Sequence, residues 1–163
     1  MNKPQLTKKI ERIIQSSAIY TEKDSFDFDI MWKDQENWSA EVYFIKENMS
    51  DYNPIIDEKE LFDEVGNSMH TGFFATFLPE YDNSIYSSDF PTPGGLLEGY
   101  ISVHPDYRGQ GLGRSFDDML ISICKELGVK TVLWMDPNQS FFKKLDYDII
   151  SDEFGEVYAM KEI

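Results

Sequence analysis

The sequence predicts a mixed α/β domain, on three observations. Apolar residues recur at helical spacing in two stretches, 6–18 and 116–127. They alternate with polar residues in two neighbouring segments, 26–33 and 40–44. An apolar strand at 96–104 runs into a glycine-rich turn that feeds the second helix. The 163 residues fit one domain, since single cores span about 100–200 residues.

The first helix begins near Pro4. Leu6, Ile10, Ile13, Ile14 and Ala18 form its apolar side, with Lys8, Lys9, Glu11 and Arg12 opposite. Phe26, Phe28, Ile30 and Trp32 then alternate with Asp27, Asp29 and Lys33. A polar turn at 34–37 leads to Ala40, Val42 and Phe44, and the two segments read as an antiparallel hairpin. Residues 57–65 suit a short acidic helix with Leu61, Phe62 and Val65 inward, and 72–78 a buried strand. The stretch 79–95 contains Pro79, Pro91 and Pro93 and reads as a long irregular loop of the kind that is usually functional.

From Gly113 onward, Phe116, Met119, Leu120, Ile123, Cys124 and Leu127 follow helical spacing until Gly128 closes the helix. Cys124 within that stripe is a packed core thiol. Residues 131–135 form a buried strand, 140–145 a short helix and 156–160 a final strand.

Charge narrows the function classes. Fifteen Lys plus Arg against thirty Asp plus Glu leave a formal charge of −15, which disfavours contact with phosphate backbones. The acids are not spread evenly. Residues 1–20 carry net +3, residues 21–100 net −14, and residues 101–163 net −4. A single cysteine excludes an intrachain disulfide and any multi-cysteine zinc site, and no metal is expected. No run of about 18 apolar residues predicts a membrane span. Charged residues up to Arg12 leave no apolar signal core, so a cytoplasmic location is expected.

The most informative stretch is Val103-His-Pro-Asp-Tyr-Arg-Gly-Gln-Gly-Leu-Gly-Arg-Ser115. Backbone N–H groups at a strand-to-helix turn, with the helix dipole behind them, make an anion site. Gly109, Gly111 and Gly113 let backbone approach a ligand, and Arg108 and Arg114 add positive charge. The physics points to a phosphate-bearing ligand. Gly-x-x-x-x-Gly-Lys-Ser/Thr is absent, and the two-residue glycine spacing does not fit Gly-x-Gly-x-x-Gly.

Arg108-Gly-Gln-Gly111-Leu-Gly113, preceded by Val103-His-Pro-x-Tyr-Arg-Gly, resembles the hallmark Gln/Arg-x-x-Gly-x-Gly/Ala of the GNAT (Gcn5-related N-acetyltransferase) superfamily. Asn138-Gln-Ser-Phe-Phe-Lys-Lys-Leu-Asp-Tyr147 loosely resembles a second family element, Asn-x-x-small followed by Phe-Tyr-x-x-x-Gly-Phe. The resemblance covers about residues 96–163 and weakens before 95. It implies a twisted, mostly antiparallel central sheet flanked by helices, a single domain over 1–163, and acetyl-CoA as co-substrate. On that reading residues 96–163 form the acetyl-CoA-binding half and 1–95 a divergent, acceptor-side half.

The resemblance also assigns residues. Arg108, Gly109, Gln110, Gly111, Leu112, Gly113, Arg114 and Ser115 would hold the pyrophosphate, and Ile101, Ser102 and Val103 would pair with the pantetheine arm. Asn138 and the helix from Ser140 would flank the thioester. Local cations, Arg108, Arg114, Lys143 and Lys144, would outweigh the distant acids, because salt screens charge beyond about 8–10 Å.

Acetyl transfer to an amine needs a base for the amine proton and an acid for the leaving thiolate. The family's tyrosine acid is Phe142 here, which cannot donate a proton, and Asp146 stands at the family's glycine. Three alternatives remain open: another acid such as Tyr147 or Tyr100, release of the thiol unaided, or a protein that binds acetyl-CoA without transferring. Glu98 is the candidate base, although it lies out of phase with Ile101 unless the strand bulges; Glu80, Asp82 and Asp89 on the long loop are alternatives. His104 reads as a turn residue, and His70 has no evident metal partner. The acceptor expected is an amine-bearing small molecule or a basic peptide or protein, with no nucleic acid and no membrane as partner. The oligomeric state, a homodimer included, stays open. An acidic protein that mimics nucleic acid toward a basic partner is the rival from a different class.

Overall fold

The structure, a computed structural model, describes residues 3–32, 38–46, 71–78, 95–103, 107–135 and 137–163. Helix α1 (Lys3–Gln15) forms because Leu6, Ile10 and Ile14 recur every four residues, and all three are fully buried. It stops before Ala18, which lies in the turn that follows and is exposed. Strands β1 (Ser25–Trp32) and β2 (Trp38–Ile45) make the antiparallel hairpin the alternation predicts, in register from Ser25↔Ile45 to Trp32↔Trp38. The connecting turn, the helix expected at 57–65 and the loop at 79–94 lie outside the described residues.

Strand β3 (Gly72–Leu78) pairs antiparallel with both β2 and β4 (Leu96–Ser102). Helix α2 (Leu112–Leu127) carries the chain over to β5 (Thr131–Met135), which lies parallel to β4. Helix α3 (Gln139–Lys144) and strands β6 (Asp148–Ser151) and β7 (Val157–Glu162) complete the chain. Among the described residues seven strands form one sheet in the order β1-β2-β3-β4-β5-β7-β6, antiparallel everywhere except at β4–β5. This is the mixed α/β, mostly antiparallel architecture expected. Strand β6 is an addition to it: four residues on a sheet edge, half-buried only at Ile149 and Ile150.

One face of the sheet carries the main core. There α1 and α2 lie side by side, linked at the surface by Lys9 Nζ and Glu126 Oε1 at 2.6 Å. The rings of Phe44 (β2), Phe73 (β3) and Phe116 (α2) meet with centroids 5.5–5.9 Å apart. Cys124 is fully buried in this core, and burial pushes its thiol pKa up, as the packed-thiol reading requires. The opposite face carries a smaller cluster of Leu96, Leu133 and Tyr158. No helix among the described residues is long and apolar enough to cross a membrane.

A buried ion pair ties the connection after α1 to the end of β2. Lys46 Nζ lies 2.8 Å from Asp24 Oδ2 and also donates to the carbonyl of Ile19, and the two side chains are 5% and 0% exposed. Thr21 N donates to the same carboxylate oxygen at 2.9 Å. Removing one partner strands a charge in low dielectric, which costs about 3–5 kcal/mol. Lys46→Met is therefore expected to lower the unfolding free energy by about that amount in urea titrations; a loss below about 1 kcal/mol would show that the pair holds nothing in place.

Candidate active site

The parallel pairing of β4 with β5 is short. It runs from Leu96↔Thr131 to Gly99↔Trp134 and then stops, while β4 stays paired with β3 as far as Ser102. Past Gly99 the ladder between the two strands ends. A cleft of about 580 Å³ opens there. Its walls are Ile101–Val103 of β4 and its exit, the turn and first helical residues from Tyr107 to Arg114 except Gln110, and Met135 at the end of β5 with Pro137, Asn138, Phe141 and Phe142 beyond it. The C-terminal ends of parallel strands are where open α/β sheets place ligands.

The turn builds an anion site at the head of α2. Gly111 is the N-cap, with φ 79°, a left-handed conformation that costs a residue with a side chain roughly 1–2 kcal/mol. Ser115 N makes the first helical bond, to Gly111 O at 3.0 Å, so the amides of Leu112, Gly113 and Arg114 are left over by helix geometry. Among the described residues no side chain caps the helix start, and no acid lies in its first turn. A Cβ on Gly109 or Gly111 would meet nothing within 4 Å, so open space faces the turn. Gly113 is different: a Cβ there would sit 3.0 Å from the Phe141 ring, so this glycine lets α3 close against α2.

Arg108 Nε donates to Val103 O at 3.1 Å, which folds the side chain back to brace the turn. Arg108 and Arg114 are both exposed on the cleft wall. Gln110 and Ser115 are not wall residues, and the Ser115 hydroxyl donates to Gly111 O inside the helix. Asn138 Oδ1 caps α3 by accepting from Phe141 N at 3.2 Å and from Ser140 Oγ at 3.0 Å; its amide nitrogen is the group it has to offer the cleft. The Ser102 hydroxyl is buried without a hydrogen-bond partner. Of the expected binding residues, eleven therefore stand on the wall: Ile101, Ser102, Val103, Arg108, Gly109, Gly111, Leu112, Gly113, Arg114, Asn138 and Phe142. Tyr107, Met135, Pro137 and Phe141 join them without having been singled out from sequence.

The two expected catalytic residues are not on the wall and are not brought together. The β3–β4 register is unbroken from Gly72↔Ser102 to Leu78↔Leu96, so no bulge brings Glu98 into phase with Ile101. Glu98 lies on the opposite sheet face, between the Cα partners Thr76 and Leu133. Tyr147 is 4% exposed, behind Phe142 at a centroid distance of 5.2 Å. Its hydroxyl donates to Asp117 Oδ1 at 2.6 Å, and burial, then the charge of Asp117, pushes its pKa up. A phenol held behind the wall with its proton committed to a carboxylate is badly placed to protonate a thiolate.

The acceptor of that proton went unnoticed in the sequence. Asp117 is 3% exposed, and its Oδ1 also accepts from Trp134 Nε1 at 2.9 Å. A signal existed: Asp117 stands three residues before Leu120 and seven before Cys124, on the apolar stripe of α2. His104 and His70, with Glu80, Asp82 and Asp89, lie outside the described residues.

Residues 71–147 match the model of the acetyltransferase (GNAT) family. Over this stretch the chain is similar to the GNAT acetyltransferases. The match reaches back through β3, upstream of the hallmark turn. No curated protein matches the sequence. Among solved structures, an acetyltransferase of Bacillus cereus ATCC 14579 is 13% identical, with 98% of this chain and 90% of that one covered at a TM-score of 0.43. YncA of Salmonella typhimurium, named as an acetyltransferase and solved with its cofactor acetyl-CoA, is 18% identical over 64% and 69% of the two chains, TM-score 0.37. The ribosomal-protein-alanine N-acetyltransferase of Brucella melitensis is 14% identical over 66% and 80%, TM-score 0.39.

One departure from the GNAT pattern has a visible local cause. Asp146, at the family's glycine, has φ 65°, the left-handed conformation that a glycine adopts freely. A separate feature concerns the titration of the buried Asp117. Desolvation raises the Asp117 pKa above 3.8, against the opposing hydrogen bonds from Tyr147 and Trp134. A raised folded-state pKa stabilises the fold below the unfolded value and is lost as pH rises through the folded one. Wild type is thus expected to gain stability relative to Asp117→Asn as pH falls from 7 toward 4, in paired urea titrations. A difference independent of pH would show that the carboxylate is not desolvated.

Proposed function

We propose that the protein transfers the acetyl group of acetyl-CoA to a primary amine on a cationic acceptor. The observation that carries the reading is the cleft at the β4–β5 parting, with a glycine turn and helix N-terminus at one end and apolar walls at the other. The donor set fits the cofactor. Free amides at the head of α2 with Arg108 and Arg114 suit a pyrophosphate, the exposed edge of Ile101–Val103 suits the amides of a pantetheine arm, and Met135, Phe141 and Phe142 suit its methylenes. Bound acetyl-CoA would supply an activated acyl group, with a thiol as leaving group.

The chain's own residues divide the remaining work between the two sheet faces. The cleft walls, α2 and α3 lie on the main-core side, while Glu98 stands on the other face, one residue before the pairing ends. An acceptor entering from that face meets Glu98 first. Its carboxylate attracts an ammonium and takes the amine proton, directly or through one water. Phe142 offers no proton, so the thiolate leaves with only the help its own pKa of about 8–9 requires. The acceptor's cationic character is supported by the net charge of −14 over residues 21–100, against −4 over residues 101–163.

Calorimetric titration with acetyl-CoA tests the cofactor. Micromolar-range binding is expected for wild type, weakened roughly 100-fold or more in Gly111→Glu, which puts a carboxylate and a strained backbone at the anion site. Equal binding by the two proteins overturns the assignment. For catalysis, Glu98→Gln should lower kcat by about 10²–10⁴-fold on any amine that is turned over, leaving KM for acetyl-CoA within about twofold. An unchanged kcat removes Glu98 from the mechanism.

A further inference from the structure

The cleft's geometry converges on a residue that does not touch it. Helix α3 forms one wall but has only six residues, too few to hold its place without tertiary contacts. Its start is held by the Asn138 cap and by the Phe141 ring against Gly113. Its end is held by Tyr147, whose N–H donates to Phe142 O at 3.1 Å and whose ring packs on Phe142. Phe142 also packs on Trp134, whose ring is stacked against it at a centroid distance of 6.1 Å. Both rings direct their polar atoms to one place: Tyr147 Oη and Trp134 Nε1 donate to the same Asp117 oxygen, at 2.6 and 2.9 Å. Lys161 adds an outer tie, donating to Leu145 O at 2.9 Å with its ammonium 5.3 Å from the Tyr147 ring centroid.

We propose that Asp117 is a positioning residue: by holding Tyr147 and Trp134, the two rings that pack on Phe142, it sets the gap between the phosphate-turn helix and α3, and with it the fit of the cofactor's pantetheine arm. The proposal rests on the acetyl-CoA reading of the cleft. Asp117 belongs to the same helix whose first turn forms the anion site, so one rigid element carries both the phosphate contacts and the anchor of the opposite wall. Three sides of the cleft, α2, β5 and the α3 turn, meet at a single carboxylate oxygen. Removing that acceptor leaves two buried donors with only each other, at 3.2 Å, and frees the pair of rings that fixes Phe142.

The test separates the two ends of the cofactor by using two probes, CoA and 3′-phospho-ADP, which is the nucleotide half without the pantetheine arm. Affinities are measured by calorimetry well below each variant's melting temperature. Asp117→Leu should weaken CoA by about tenfold and leave 3′-phospho-ADP within about twofold, because the phosphate turn is untouched. Asp117→Asn keeps an acceptor oxygen for both donors and should restore CoA affinity to within about twofold of wild type. Should Asp117→Leu not fold, Tyr147→Phe substitutes for it, with an expected three- to fivefold loss confined to CoA, on the order of one neutral hydrogen bond. Unaltered CoA affinity, or parallel loss of both probes, overturns the positioning role. Wild type that binds neither probe overturns the acetyl-CoA reading instead.

Discussion

The structure depends on the length of one parallel strand pair. Parallel strands cannot be joined by a hairpin and need a crossover, which here is the glycine turn and α2. The β4–β5 ladder ends after Gly99↔Trp134, while β3 on one side and β7 on the other keep the two strands paired to Ser102 and Met135. The crossover must leave β4 on one side of that parting and deliver β5 to the other. A longer ladder would consume the backbone groups that now face the cleft; a shorter one would lose the packing of Leu96 and Leu97 on β5. The turn, the head of α2 and the cap of α3 are all gathered at the same end by this single requirement.

How the two layers divide labour follows from strand alternation. Odd-numbered residues of β4, Leu97 and Ile101 among them, belong to the helix-covered core, and Leu96 belongs to the cluster on the other face. A side chain on this strand therefore serves one face only. The apolar walls lie on the helix-covered side with the helix dipole, whereas the carboxylates of Glu41 and Glu98 stand on the opposite side, at positions laterally linked through Thr76.

Periodicity made much of this legible before any coordinates. β3 and β5 end where their apolar runs end, α2 closes at Gly128 in a left-handed conformation, and the first hairpin has the pairing its alternation demands. The turn was legible because glycine spacing between a strand and a helix reports backbone conformation directly. Less legible were features decided by which way a side chain turns. Tyr147 carries both a large apolar ring and a proton, and sequence does not say which end meets the cleft; the buried Asp117 decides it. Phase placed Glu98 opposite Ile101 from the outset, and only the unbroken register removed the bulge that would have reversed it. Strand β6 escaped notice because four residues on an edge bury too little to leave a pattern.

The buried state of Cys124 has a practical side. It is the chain's single cysteine, lies at 0% exposure, and has a thiol whose ionisation is suppressed by burial. Reactivity belongs to the thiolate, so the folded protein presents almost none to oxidants or disulfide reagents. In a colorimetric assay for liberated CoA, every thiol counted in a folded sample comes from the reaction. A slow rise in that signal with acetyl-CoA left out would report unfolding, which makes the same cysteine an internal gauge of the protein's integrity.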